Sequence, residues 1–148
     1  MDERDRQILA ELERDARLTY AEIGARVSLA PSSVHDRVRK LERAGVITGY
    51  RAEVALEAAG FPITAVVSLA LRPTSPTDVP ARVAEFPLIE SCYSVAGDNS
   101  YALVVRAPST RALEELVDAL RAKLEVVTRT TVVLSTPFER RPMLSGPD

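Results

Sequence analysis

The sequence predicts an α+β fold in two parts, three short helices followed by a βαββαβ unit. Three observations carry this. Apolar residues recur at helical spacing through the first 44 residues. Beyond residue 63, short apolar runs alternate with helical stretches. Proline, glycine and small polar residues stand at the boundaries between them. At 148 residues, 46% apolar and 27% charged, the balance is globular and the length suits one ordinary domain or two very small ones.

The first helix is expected over 2–15. Ile8, Leu12 and Ala16, with Leu9 beside them, give one apolar stripe. Asp2 caps it, and acidic residues crowd its first turn, where the helix dipole favours them. Thr19 opens the second helix. With Glu22 three residues on it forms a capping box, and Tyr20, Ile23 and Val27 form the buried face. That helix stops at Ser28-Leu29-Ala30-Pro31, because Pro31 disfavours a helical Ala30 and suits the first turn of a new helix. The third helix is expected over 32–44, with Val34, Val38 and Leu41 inward and Gly45 at its end. Residues 46–54 are β-rich and read as a short strand or wing. A helical turn at 55–60 follows and is broken by Phe61-Pro62.

Two short helices joined by a tight turn, the second one basic, match a helix-turn-helix. The net charge of −2 and pI near 5.5 argue against a nucleic-acid binder, but the average hides an uneven distribution. Residues 26–51 hold six basic side chains against two acidic ones, a net +4. The recognition helix is then 32–43. Its candidate double-stranded DNA contacts are Ser32, Ser33, His35, Arg37, Arg39, Lys40 and Arg43. Small hydroxyls at the helix start allow close approach to the groove, while histidine and arginine reach base edges or phosphates. The helical pattern places His35 opposite Val34, Val38 and Leu41. A charge run alone is more often a solvated helix face; the turn, the preceding helix and the charge asymmetry together favour DNA.

In the second part, strands are expected at 64–71, 89–96, 101–106 and 125–134, and helices at 78–86 and 111–124. This order is the ferredoxin-like arrangement, an antiparallel sheet with both helices on one face. The other face is expected to carry Val66, Ser68, Ala70, Val126, Thr128, Thr130 and Val132. It needs a cover, and a second copy of the chain is the simplest one. The expected layout is a DNA-binding domain at 1–50, a linker at 51–63, a dimerisation and effector-sensing domain at 64–137 and a tail at 138–148.

Several classes are disfavoured. No run of eighteen apolar residues spans a membrane, and the charged N-terminus lacks an apolar signal core, so a cytoplasmic protein is expected. Cys92 is the sole cysteine and His35 the sole histidine, poor material for a disulfide, a metal centre or a Cys/His nucleophile pair. No cofactor is expected.

The residues resemble the leucine-responsive and asparagine-responsive regulators, the Lrp/AsnC family, over nearly the whole chain. The resemblance rests on Asp5-Arg6-Gln7-Ile8-Leu9 with Leu12 and Asp15-Ala16-Arg17, on Glu22-Ile23-Gly24-Ala25-Arg26-Val27, and on Val34 through Glu42. Gly45-Val46-Ile47-Thr48-Gly49-Tyr50, Gly60-Phe61-Pro62 and Val95-Ala96-Gly97-Asp98 continue it. It implies a transcriptional regulator, a homodimer that often assembles into rings of dimers, and an effector that is usually an amino acid. The effector site is expected between second domains, around Gly97, Asp98, Asn99 and Ser100, with Thr131, Val132 and Val133 closing it. One departure stands out. The family usually reads Gly-x-x-Asp-Tyr at the turn, whereas here Gly97-Asp98-Asn99-Ser100-Tyr101 puts serine in place of aspartate. A carboxylate pairs with an α-ammonium group, while a serine offers a neutral hydrogen bond. An effector-independent architectural DNA binder is therefore one alternative. A decarboxylase on the same fold is another, since some tetrapyrrole decarboxylases resemble this family. The second domain has no histidine for such chemistry, so no enzyme is expected.

Overall fold

The computed structural model describes residues 1–144, so residues 145–148 of the expected tail lie outside the described residues. Contacts divide the chain into two units, Met1–Glu53 with the residues from Phe138 on, and Val54–Pro137.

The first unit holds α1 (Glu3–Arg14), α2 (Tyr20–Val27) and α3 (Pro31–Arg43). Their starts follow from local chemistry. In α1, Asp2 accepts from the Asp5 N–H and Asp5 accepts from the Asp2 N–H, each at 2.9 Å. In α2, the Glu22 N–H donates to Thr19 Oγ1 at 3.2 Å and the Thr19 N–H to Glu22 at 2.7 Å, the reciprocal pattern of a capping box. α3 starts one residue earlier than the sequence suggests, because Pro31 itself occupies its first position. Ile8, Ile23, Val27, Val34 and Val38 make one core, with Leu12, Leu18, Leu29 and Ile47 packed on it.

The turn between α2 and α3 depends on Gly24. A Cβ there would sit 2.5 Å from the Leu29 carbonyl oxygen, so only glycine lets the chain fold back this closely. The Leu29 N–H donates to Gly24 O at 2.9 Å, and Ser28 takes the left-handed conformation at φ 56°. A second tie joins α3 to α1. Arg37 Nη1 donates to Asp2 Oδ2 and Asp5 Oδ1, both at 2.7 Å, and Asp5 is only 5% exposed.

The strand expected within 46–54 is absent from the described residues. The backbone there instead closes the end of α3, with the Val46 and Ile47 N–H groups donating to Leu41 O at 2.9 and 3.3 Å. Within the same unit, the two carboxylate oxygens of Glu13 accept the N–H groups of Met143 and Leu144, each at 2.9 Å.

The second unit holds β1 (Ile63–Ala70), α4 (Val79–Val83), β2 (Ile89–Ser94), β3 (Tyr101–Ala107), α5 (Thr110–Leu124) and β4 (Val127–Val132). The sheet is fully antiparallel in the order β2-β3-β1-β4, the ferredoxin-like topology. Ala65, Val67 and Leu69 of β1 and Leu103, Val105 and Ala107 of β3 face Val79 and Val83 of α4 and Leu113, Leu116, Val117, Leu120 and Leu124 of α5. Both helices therefore cover one face. Among the described residues no helix is long and apolar enough to cross a membrane.

The phase of β4 corrects the expected open face. α5 ends at Glu125 in the left-handed conformation, φ 50°, and the strand begins only at Val127. Val126 is 2% exposed and belongs to the core. Partners across an antiparallel pair share a face, and Val66 pairs with Thr131, Ser68 with Arg129 and Ala70 with Val127. The open face thus receives Val127, Arg129 and Thr131 from β4, while Val126, Thr128, Thr130 and Val132 belong to the other side. β3 adds Ala102, Val104 and Arg106, and β2 adds Ser91 and Tyr93. Arg106 Nε donates to Glu90 Oε2 at 2.7 Å and Arg106 Nη1 to Thr64 Oγ1 at 2.6 Å, tying three strands together.

The Arg37 clamp has a pH signature. The Arg37 hydrogen bond, followed by the Asp5 N–H, holds the Asp2 carboxyl below its ordinary range; the Asp2 N–H, followed by Arg37, does the same for Asp5. A depressed folded-state pKa gives stability that is present above the unfolded value, near 3.9, and lost as pH falls through the folded one. Arg37→Ala is expected to lower the thermal midpoint of the first unit at pH 7, with the gap to the parent closing as pH falls below about 4. Thermal unfolding followed by circular dichroism across that range checks it.

Candidate nucleic-acid interface and effector turn

At about 100° per residue along a helix, Val34, Val38 and Leu41 turn inward and are buried on α3. Ser32, Asp36, Arg39 and Arg43 then fall within about 60° of one another on the opposite side. Lys40 stands about 40° beyond Asp36, and Ser33 about 60° beyond it on the flank opposite His35; all six residues are exposed. Ala30 brings no side-chain cap to the start of the helix, so it supplies no acceptor to the first-turn amides. Such amides favour anions.

His35 and Arg37 do not lie on this face. His35, expected opposite the buried stripe, sits on its flank, about 90° from the stripe's centre. It is half-buried, its ring edge-on to Tyr20 of α2 with centroids 5.4 Å apart. Its Nδ1 lies 3.3 Å from Asp36 Oδ1. Arg37 is on the other flank, and its guanidinium is engaged by Asp2 and Asp5. Nothing in the order of charges along the chain announces this pairing. The available signal is Asp2 and Asp5 three residues apart at the start of α1.

The same logic applies to Arg26, whose Nη1 reaches Glu11 Oε2 at 2.6 Å. Two of the six basic residues in 26–51 therefore pair with acids of α1. Arg39, Lys40 and Arg43 stay exposed on the outer face, and Arg43 Nε donates to Arg39 O at 3.2 Å. At the far end of α3 the Tyr50 hydroxyl donates to Glu42 at 2.9 Å. Burial, then this bond, pushes its pKa up to about 12.

In the second unit, Gly97 adopts φ +127°, which an L side chain rarely takes, so the turn 97–100 presents open backbone there. Asp98 is exposed, and Asn99 and Ser100 are half-buried. The Ser100 N–H donates to Leu69 O at 2.8 Å, and Ser100 O accepts from the Val95 N–H at 3.1 Å. Ser100 therefore sits at one end of β1. Thr131 and Val132 pair with Val66 and Ala65, and the Val133 N–H donates to Thr64 O at 2.9 Å, towards the other end. Leu69 and Ala65 are four residues apart, about 13 Å along an extended strand. β3 and β4 also flank β1 on opposite sides. One copy of the chain does not bring the two halves of the expected effector site together.

Residues 1–48 match the family model described as winged helix-turn-helix DNA-binding, and residues 64–143 match the Lrp/AsnC ligand binding domain. The chain is 44% identical over 142 residues to the HTH-type transcriptional regulator LrpA of Mycobacterium tuberculosis, covering 95% of each. It is 34% identical to the leucine-responsive regulatory protein of Salmonella typhimurium, over 90% of this chain and 85% of that one. Among solved structures, the feast or famine regulatory protein of M. tuberculosis complexed with L-methionine aligns at TM-score 0.92 and 42% identity, covering 97% of this chain and 99% of the other. An α-helical reader followed by a four-stranded antiparallel ligand-binding fold, matched along both halves, leaves one assignment: the chain belongs to the Lrp/AsnC family of transcriptional regulators.

Proposed function

We propose that this protein regulates transcription as a homodimer, that it reads double-stranded DNA with the outer face of α3, and that an amino acid held between ferredoxin-like units tunes the binding. The observation that carries the reading is the exposed Arg39, Lys40 and Arg43 on one face of α3, left outward after Arg26 and Arg37 pair with α1 acids. Arg39, Lys40 and Arg43 serve mainly as phosphate contacts, while Ser32 and Ser33 approach base edges. Arg37 acts through the fold, by fixing α3 against α1. His35 acts from the flank.

The open sheet face supports dimerisation, since Val66, Tyr93 and Val127 are exposed there and a second copy would cover them. A two-fold dimer spaces its recognition helices about 34–36 Å apart for a pseudo-palindromic site. The separation of Ser100 from Thr131, Val132 and Val133 favours an effector site built from two copies. A ligand that prefers one arrangement of copies then shifts the spacing of the reading helices. L-methionine in the similar structure supports an amino-acid effector. This reading needs no catalytic step and places the protein in the cytoplasm.

Replacing Arg39 and Lys40 together by alanine is expected to weaken specific and random duplexes alike, and to lower the slope of log affinity against log salt by about 2. Arg37→Ala should leave that slope unchanged. Fluorescence anisotropy over a salt series measures both. Unaltered binding by the double variant removes α3 from the interface.

For the effector, Ser100→Asp restores a carboxylate at the turn. It is expected to tighten L-methionine binding by about 1–3 kcal/mol, the scale of one charge-assisted hydrogen bond. Titration calorimetry on both proteins reads the difference. Equal affinities take the turn out of the pocket, and no heat from either protein with any of the twenty amino acids supports an effector-independent regulator.

A further inference from the structure

Asp36 stands in the middle of the outer face of α3, between Ser32 and Arg39 with Arg43, and its side chain is 82% exposed. The other charged groups on that face, Arg39, Lys40 and Arg43, are basic. Arg26 of α2 pairs with Glu11, and Arg37, on the flank of α3, pairs with Asp2 and Asp5, neither with Asp36. A carboxylate placed there opposes the phosphates that its neighbours attract, so it weakens sequence-independent binding. It needs a donor in the groove to offset that cost. An ionised carboxylate only accepts hydrogen bonds, and the major groove offers two exocyclic amines, N4 of cytosine and N6 of adenine. Adenine places its N7 acceptor beside the amine on the side nearer its own backbone, which repels the second carboxylate oxygen; cytosine has a C–H there. His35 Nδ1, 3.3 Å from Asp36 Oδ1, steadies the carboxylate from the flank when that nitrogen carries a proton.

We propose that Asp36 is a specificity-determining residue that accepts a hydrogen bond from the N4 amine of one cytosine in each half-site. The proposal rests on the reading of α3 as the DNA-contacting helix. It makes Asp36 the group that trades overall affinity for base choice, in contrast to its phosphate-binding neighbours. Asparagine at the same place pairs bidentately with N6 and N7 of adenine, so the amide should change the preferred base rather than abolish preference.

The test is selection from a randomised duplex library by the full-length parent, Asp36→Ala and Asp36→Asn, with circular dichroism confirming that helicity is unchanged. The parent is expected to select a C·G pair at one position of each half-site, disfavouring other pairs there by roughly 5- to 150-fold. Asp36→Ala should lose the preference at that position alone, and Asp36→Asn should move it to A·T. Both variants should bind random duplex several-fold more tightly than the parent. An alanine variant that selects the parent's bases at every position overturns the proposal. So does a folded variant that no longer binds random duplex. A parent that selects no duplex at all fails at the earlier step, overturning the DNA reading of α3 and the role of Asp36 with it.

Discussion

The close approach of Leu29 to Gly24 sets the geometry on which the reading surface depends. With no Cβ on Gly24, the Leu29 carbonyl occupies space that any side chain would claim, and the Leu29 N–H closes the turn onto Gly24 O. Ser28 supplies the left-handed step between them. α3 can then lay Val34 and Val38 on Ile23 and Val27, with Ile8 of α1 beneath. Once that stripe is buried, helical periodicity alone decides which residues remain outward. Arg37, gripping Asp2 and Asp5, fixes the rotation of α3 from the other side.

Charge pairing resolves an apparent contradiction between a net charge of −2 and a DNA-binding role. The acids of α1 do more than offset basic residues in a sum. Glu11, Asp2 and Asp5 take up Arg26 and Arg37 at contact distance, on flanks away from the outer face. Exposed charges interact over about a Debye length, roughly 8–10 Å in physiological salt. On the proposed reading, a duplex meets the local set of Arg39, Lys40, Arg43 and Asp36, not the total.

Much of this was legible in the sequence because local chemistry dictates it. Thr19 with Glu22, Pro31 and Gly45 mark helix ends through hydrogen bonds and steric limits that act within a few residues. The βαββαβ order follows from alternating periodicities. The features that escaped depend on contacts distant in sequence or on backbone phase. Val126, Thr128, Thr130 and Val132 share a face as alternation predicts, but it is the helix side, with Val126 entering the core just after the left-handed Glu125. The β-rich stretch 46–54 had the composition of a strand, yet its first amides were needed at the end of α3. His35 looks outward only if the face is drawn too wide; helical phase puts it on the flank, where its ring meets Tyr20 edge-on. The turn 97–100 and Thr131–Val133, expected to share one site, belong to different ends and sides of β1, a separation that no spacing along the chain reveals.

The central claim is that the outer face of α3 is the surface that meets DNA, and amide shifts report on every segment at once. Isotopically labelled full-length protein, titrated with a duplex carrying its selected site, is expected to show its largest amide shift changes across 32–43. Smaller changes are expected around 19–24, and little in α4 and α5. Changes concentrated in α4, α5 or the turn at 97–100, with α3 undisturbed, would contradict the assignment.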